Sequence, residues 1–206
     1  PRDLMAFFDF SFDSSGGGVD DWPRYPGHAQ VLRYLEEFAD AFSLRQRIRF
    51  NTKVVQVIHE DRWLLTIDGD NGSGTEGFDA LAVCNGHYTE PRVPDIPGSD
   101  NFPVHSVHSH NYRSPDEFLD KQVVIVGSAS SGADLTEEIA STANRVYWCS
   151  NDKAASSKRI KHLNNVTSCG QVKRLIDDGR IELEDQTLVG PVDSFVYATG
   201  YHYRFP

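Results

Sequence analysis

Gly127, Ser128, Ala129, Ser130, Ser131 and Gly132 form a run of small residues directly after the apolar run Val123 to Val126. Small residues in that setting suit one kind of chemistry, the binding of an anion. They let the backbone turn sharply and leave N–H groups without partners, and a helix that follows adds the positive end of its dipole. The order Gly-x-Ala-x-Ser-Gly resembles the dinucleotide-binding Gly-x-Gly-x-x-Gly, with a Cβ added at Ala129 and hydroxyls offered by Ser130 and Ser131. The ligand so implied is a pyrophosphate; the blander alternative is a tight strand–helix turn that holds nothing.

A dinucleotide turn predicts a ribose-reading residue about 20 positions later, an acid for a free 2′-hydroxyl or a base for a 2′-phosphate. The chain offers both there, Asp152 and Lys153, with Lys158 and Arg159 as further bases. Other reactive side chains form weaker patterns. His105, His108 and His110 are spaced by three and two on an extended segment, which suits no particular metal, and no metal site is expected. His108 is equally a structural histidine bonded to a carbonyl. Tyr112 and Arg113 are expected to pack or pair. Cys84, Cys149 and Cys169 lie far apart in sequence and supply no Cys-x-x-Cys. No Ser-His-Asp or paired-carboxylate pattern supports hydrolysis.

The elements that must position the small-residue run follow from periodicity. Val123 to Val126 reads as a strand buried on both faces. Residues 131–142 read as a helix with Leu135 and Ile139 inward and Glu137 and Glu138 outward, followed by a strand from Arg145 to Cys149. Residues 150–170 read as loop with one helical turn. Val172 to Ile176 and Ile181 to Leu183 bracket a turn at Asp178-Gly179, and Val192 to Tyr197 is the last strand. Upstream, residues 1–27 are aromatic and turn-rich, with Phe7 to Phe12 expected in a core. Ala29 to Phe42 is an amphipathic helix with the stripe Val31, Leu35, Phe38 and Phe42. Strands are predicted over 48–58 (Val55 and Val57 on one side), 63–67 and 78–84, with a turn at 68–77, a small β-meander. Pro91, Pro94 and Pro97 impose an extended crossing.

Composition narrows the function classes. The 206 residues carry a formal charge of −10 without a sustained basic run, which excludes nucleic acid and an anionic membrane surface as expected partners. No apolar stretch reaches the ~18 residues of a transmembrane helix. The three cysteines weakly favour a reducing compartment, cytoplasmic or membrane-associated. A homo-oligomer is compatible. The chain opens on Pro1 without an initiator Met and is read as a fragment.

Four ordered motifs then carry a resemblance. Phe102-Pro-Val-His-Ser-Val-His108-Ser-His-Asn-Tyr112 resembles the Phe-x-Gly-x-x-x-His-x-x-x-Tyr signature of flavin-containing monooxygenases, with Val104 where that family has Gly. Ala198-Thr199-Gly200-Tyr201 resembles its (Ala/Cys)-Thr-Gly-Tyr motif, and Asn85-Gly86-His87 its Asn-Gly-His turn. The helix start Ala133-Asp134-Leu135 fits as well, and the short gap between Cys149 and Thr199 is closer to fungal, plant and insect-type members. The resemblance implies an α/β fold: a Rossmann-like NADP-binding domain inserted into part of an FAD-binding α/β domain with a small β-meander. It assigns 1–90 to a partial FAD domain, 91–190 to the NADPH domain and 191–206 to the return. It implies FAD and NADPH as cofactors, molecular oxygen and an amine or sulfide as substrates, and oxygenation through a C4a-hydroperoxyflavin. The family's active-site Asn would fall just upstream of Pro1. Asn85, Thr199 and Gly200 are then expected near flavin or nicotinamide, Arg92 near the nicotinamide nucleotide, and Val54 at the flavin adenine. Members commonly place Arg where Ser150-Asn151 stands; the expected substitute is Lys153, Lys158 or Arg159. A flavin-dependent disulfide reductase and a non-catalytic NADP-binding fragment are the alternatives.

Overall fold

Phe7, Phe10 and Phe12 converge on one helix, α2 (His28–Ala41). The computed structural model describes residues 1–14 and 22–204; the side chains of Ser14, Lys153 and Ala155 lie outside that description, as does the Gly16–Gly18 run. Two compact units divide after Ala82. In the first, the short α1 (Arg2–Met5) precedes α2, whose N-terminus is closed by Gln30 Oε1 accepting from the Gly27 N–H at 3.0 Å. Tyr34 is the one fully buried residue of α2, its ring stacked on Phe12 at 3.8 Å. Its hydroxyl accepts from the Phe7 N–H (2.8 Å) and donates to the Phe10 carbonyl (2.6 Å). The covered face is therefore Val31–Tyr34–Phe38, with the half-exposed Phe42 ring packed on Phe38 and Phe10, and the stripe expected through Leu35 is corrected: Leu35 is 44% exposed. An amphipathic pattern with apolar residues on several sides does not say which side the aromatic loop takes. Phe12 is core as expected, whereas Phe8 is fully exposed.

The meander of the first unit comprises β1 (Thr52–His59), β2 (Trp63–Gly69) and β3 (Gly74–Phe78), all antiparallel. A bulge between Val54 and Gln56 breaks the expected alternation, leaving Val55 exposed and Val54 and Val57 half-buried. The third strand begins inside the segment expected to turn, because Gly74 to Phe78 pair with Ile67 to Trp63. Gly77 is accepted in that strand because the Arg62 side chain occupies the place of a Cβ and donates to the Gly77 carbonyl at 2.8 Å. Leu81 to Cys84, expected in a strand, pairs with nothing among the described residues and is mostly exposed.

The second unit is built on a parallel sheet. Its crossings β4 (Glu90–Pro91) and β13 (Tyr201–His202) pair with each other. The sheet holds β5 (His105–His108), β6 (Gln122–Val126), β7 (Arg145–Cys149), β8 (Val166–Cys169) and β12 (Ser194–Tyr197), in the order β5-β12-β6-β7-β8. Helix α3 (Ser130–Ala140) joins β6 to β7 and α4 (Lys153–Arg159) joins β7 to β8. Strands β9 (Val172–Leu175), β10 (Ile181–Leu183) and β11 (Leu188–Val189) form an antiparallel sheet before the return to β12. Strand β8 lies in a stretch that reads as loop, since Val166-Thr-Ser-Cys169 is short and half polar and is held by pairing with β7, and β11 lies in a stretch where the sequence pattern predicts no element.

The pleat of β6 explains why its apolar run is continuous. Val123 and Ile125 pack in one core with Leu135 and Ile139 of α3, and Val124 packs in a second core with Ile181 and Leu183 of β10. Each of these β6 side chains is fully buried, worth ~1.5–3 kcal/mol apiece. Glu137 and Glu138 face water as the spacing predicts.

Candidate functional site

From β6 the chain winds through α3, β7 and β8 in one direction, then returns through β9–β11 to β12 on the other side of β6. The winding reverses between β6 and β12, and in open α/β sheets a crevice opens there, at the carboxyl ends of the strands. Gly127 stands at that point. Its φ of +141° and its contact with β12, where a Cβ would lie 2.1 Å from the Ala198 carbonyl oxygen, both demand glycine. Its N–H donates to the Cys149 carbonyl (3.0 Å) and its carbonyl accepts from the Trp148 indole (2.7 Å). Gly132 acts from below: a Cβ there would lie 2.3 Å from the Gly127 oxygen. The two glycines thus press α3 and β12 against the end of β6.

Helix α3 begins at Ala129 with no side-chain cap and no acid in its first turn. An N-cap is usually Ser, Thr, Asp or Asn, whose oxygen takes one of the free N–H groups. Leaving them open keeps donors and the positive dipole end for an anion. A cleft of about 600 Å³ lies over this end. Gly127, Ser128 and Ala129 form one wall, Ser150 and Asn151 after β7 another, and Gln171 to Lys173 a third. Arg92, Pro94 to Pro97 and Ala198 to Gly200 complete it.

Among the expected site residues, Gly127, Ser128, Ala129, Arg92, Thr199 and Gly200 meet in this cleft. Ser130 and Ser131 are exposed on the first turn of α3, and Gly132 is buried beneath Gly127. Arg92 and Thr199 lock together. The Arg92 N–H donates to the Gly200 carbonyl (2.9 Å), its Nε to the Thr199 carbonyl (3.0 Å), and the Thr199 hydroxyl to the Arg92 carbonyl. Asn85 does not line the cleft; its side chain donates to the Arg204 carbonyl at 3.2 Å. Val54 belongs to the first unit, paired with Ile67 beside the bulge. The Lys153 side chain lies outside the described residues, while Lys158 and Arg159 are exposed on α4 and do not line the cleft.

Sequence reasoning missed Lys173, Gln171 and Asp95, all on the cleft wall. Lys173 Nζ and Arg174 Nε bond the two oxygens of Glu182 at 2.7 and 2.6 Å and hold its carboxyl below the usual carboxylate range. No local signal marks this triad, because strand pairing creates it.

The histidine segment is structural in its contacts. His108 Nδ1 accepts from the His110 N–H (3.1 Å), and the ring packs edge-on to Tyr201. Burial lowers its pKa against the pull of the Gly200 backbone beside it. Burial pushes the Tyr112 phenol up, and Arg113 donates to the His110 and Tyr112 carbonyls, so both pack or pair as expected. Cys149 and Cys169 face each other across β7 and β8, and their mutual hydrogen bond, with burial, raises the Cys149 thiol well above its ordinary value. A thiol so held is a poor nucleophile, which leaves the disulfide-reductase alternative without support here.

Residues 1–162 match the family described as FMO-like, flavin-binding monooxygenase-like. The chain is 40% identical over its whole length to flavin-containing monooxygenase FMO GS-OX5 of Arabidopsis thaliana, covering 46% of that protein. It superposes with a TM-score of 0.85 and 38% identity on S-allyl-L-cysteine S-oxygenase from Allium sativum, covering 100% of this chain and 47% of that one. Tmm from Pelagibacter follows at a TM-score of 0.83 and 26% identity, covering 98% and 45% of the two chains. The chain spans about half the length of the curated relatives it matches.

Proposed function

The chain belongs to the flavin-binding monooxygenase-like family, and from that premise we propose that its cleft binds NADPH as reductant for an FAD- and oxygen-dependent oxygenation of amines or sulfides. The observation that carries the reading is the uncapped start of α3 opening on a cleft whose floor is set by Gly127 and Gly132. A pyrophosphate fits that place: the donors are unspent, no carboxylate stands in the first turn, and the backbone can approach closely. In this reading residues 91–190 form the NADPH domain together with β12, which lies between β5 and β6 in its sheet, and 1–90 with the segment after β12 belong to the flavin domain. Bound NADPH supplies a hydride for flavin reduction.

The chain's own residues then have distinct tasks. Ser128 and Ala129 offer backbone N–H groups to the pyrophosphate, with the Ser130 and Ser131 hydroxyls beside them. Arg92 and Thr199 tie the outgoing crossing to the returning one, which fixes the wall toward the nicotinamide. Gly200 supplies backbone to the same lock and leaves space above it, since a Cβ there would meet nothing within 4 Å. Asn85 fastens the crossings further out, through Arg204. Val54, beside the β1 bulge, would be the strand position whose backbone meets the flavin adenine.

The test is direct. Trp148 hydrogen-bonds the underside of the turn, so its fluorescence reports coenzyme binding when the 206-residue chain is titrated with NADPH and NADH. Absorbance of the purified chain shows whether FAD is held, and an oxygen electrode shows NADPH-dependent uptake. Saturable quenching by NADPH supports the reading, and absence of binding by either coenzyme ends it.

A further inference from the structure

In a parallel α/β sheet, the ribose next to the pyrophosphate is read at the end of the second strand, where an acid selects the free 2′-hydroxyl and a base the 2′-phosphate. That strand is β7 here, and its end, Ser150-Asn151, carries no charge. The Ser150 hydroxyl is moreover buried and paired with Ser156. The cation that shares the cleft with Ser150 and Asn151 comes from the other sheet: Lys173 on β9. Arg92, the other cation among the described lining residues, is locked to Thr199 and Gly200 after β12, on the opposite side of β6 from β7.

Strand pairing puts Lys173 there. Glu182 opposes Arg174 and Leu183 opposes Val172, so Lys173 is the extra residue of a bulge, and bulges re-aim the side chain they carry. Glu182, only 9% exposed, holds Lys173 Nζ and Arg174 Nε together. Two cations share one carboxylate, so the group carries a net positive charge, and its Lys173 lines the cleft, as does the carboxylate-bearing Asp95.

We infer that Lys173 recognises the 2′-phosphate of the coenzyme and makes this cleft select NADPH over NADH. The inference rests on the NADPH reading above. The ammonium has three donors, and Glu182 takes one, leaving the others for phosphate oxygens. Glu182 is a positioning residue: it stops a flexible lysine from swinging into solvent and so reduces the ordering cost of binding.

The experiment compares Lys173→Ala and Lys173→Arg with the unaltered 206-residue chain, titrated with NADPH and NADH and then displaced with 2′,5′-ADP and 5′-ADP. Lys173→Ala should bind NADPH at least roughly tenfold more weakly, the loss of one charge-assisted hydrogen bond, with NADH affinity unchanged. The advantage of 2′,5′-ADP over 5′-ADP should shrink in parallel, and Lys173→Arg should keep both preferences. The Lys173 side chain is 46% exposed, so the variants should keep the parent's melting transition. An NADPH/NADH ratio in Lys173→Ala equal to the parent's overturns the inference while the NADPH reading stands. An unaltered chain that binds both coenzymes equally also overturns the inference alone. If the unaltered chain binds neither, the NADPH reading itself fails.

Discussion

Replacing Gly132 by alanine tests the construction of the cleft floor more sharply than any loss of a surface group. The new Cβ would lie 2.3 Å from the Gly127 carbonyl oxygen and 3.3 Å from the Trp148 indole nitrogen. Ordinary contact needs about 3.4 Å or more, so helix and turn must separate by roughly 1 Å, and both atoms in the closest clash are anchored in backbone. Overpacking of this kind costs ~1–3 kcal/mol. The shift also strains the 2.7 Å bond from Trp148 to Gly127, and a buried indole N–H left without its acceptor costs a further ~1–3 kcal/mol. Alanine's better helix propensity returns up to ~1 kcal/mol. The net is a loss of roughly 1–6 kcal/mol, read as a lower urea midpoint by tryptophan fluorescence. NADPH binding should weaken roughly tenfold as the turn's donors are displaced. Gly170→Ala is the control within the same unit, since nothing lies within 4 Å of its Cβ position; its change should stay within ~1 kcal/mol. A Gly132→Ala protein with parental midpoint and parental NADPH affinity would refute the account of both glycines.

Other expectations follow from single contacts. Tyr34→Phe keeps the ring stack on Phe12 but strands the Phe7 N–H and Phe10 carbonyl, and should destabilise the first unit by ~1–3 kcal/mol in denaturant melts; an unchanged melt would show that the hydroxyl does not pin the aromatic loop. His108, packed against His110 and Tyr201, has its pKa lowered by burial, so the unfolded chain takes up the proton first as pH falls. Its contribution is fully present above the unfolded value of about 6.5 and is lost as pH drops through the folded value. His108→Gln should therefore flatten the fall in urea midpoint below about pH 6.5, and an identical slope in parent and variant would count against this assignment.

How far the chain could be read in advance depends on how far apart in sequence the deciding contacts lie. The β6 run, the small turn and the Leu135–Ile139 face are legible because strand, turn and helix are contiguous, and each residue's partner is a few positions away. The aromatic loop was expected in a core but not on Tyr34, because a helix with Leu32, Tyr34, Leu35 and Phe38 offers several apolar faces and only the fold chooses one. Bulges defeat pattern reading for the same reason. At Val55 one extra residue inverted the expected inside and outside, and at Lys173 it aimed a cation into the cleft. The base inferred for the 2′-phosphate, Lys173, lies 41 residues past Gly132 on a strand of a different sheet, whereas the expected Lys153 has its side chain outside the described residues. The position of Lys173 is fixed by Glu182, which enters only when β9 pairs with β10. The pyrophosphate end of such a site is local and readable, because it is made of backbone. The end that discriminates between coenzymes is made of side chains, and any element that reaches the rim can supply them. In this chain the end of β7 is neutral at Ser150-Asn151, and the lysine that lines the same cleft comes from a neighbouring sheet.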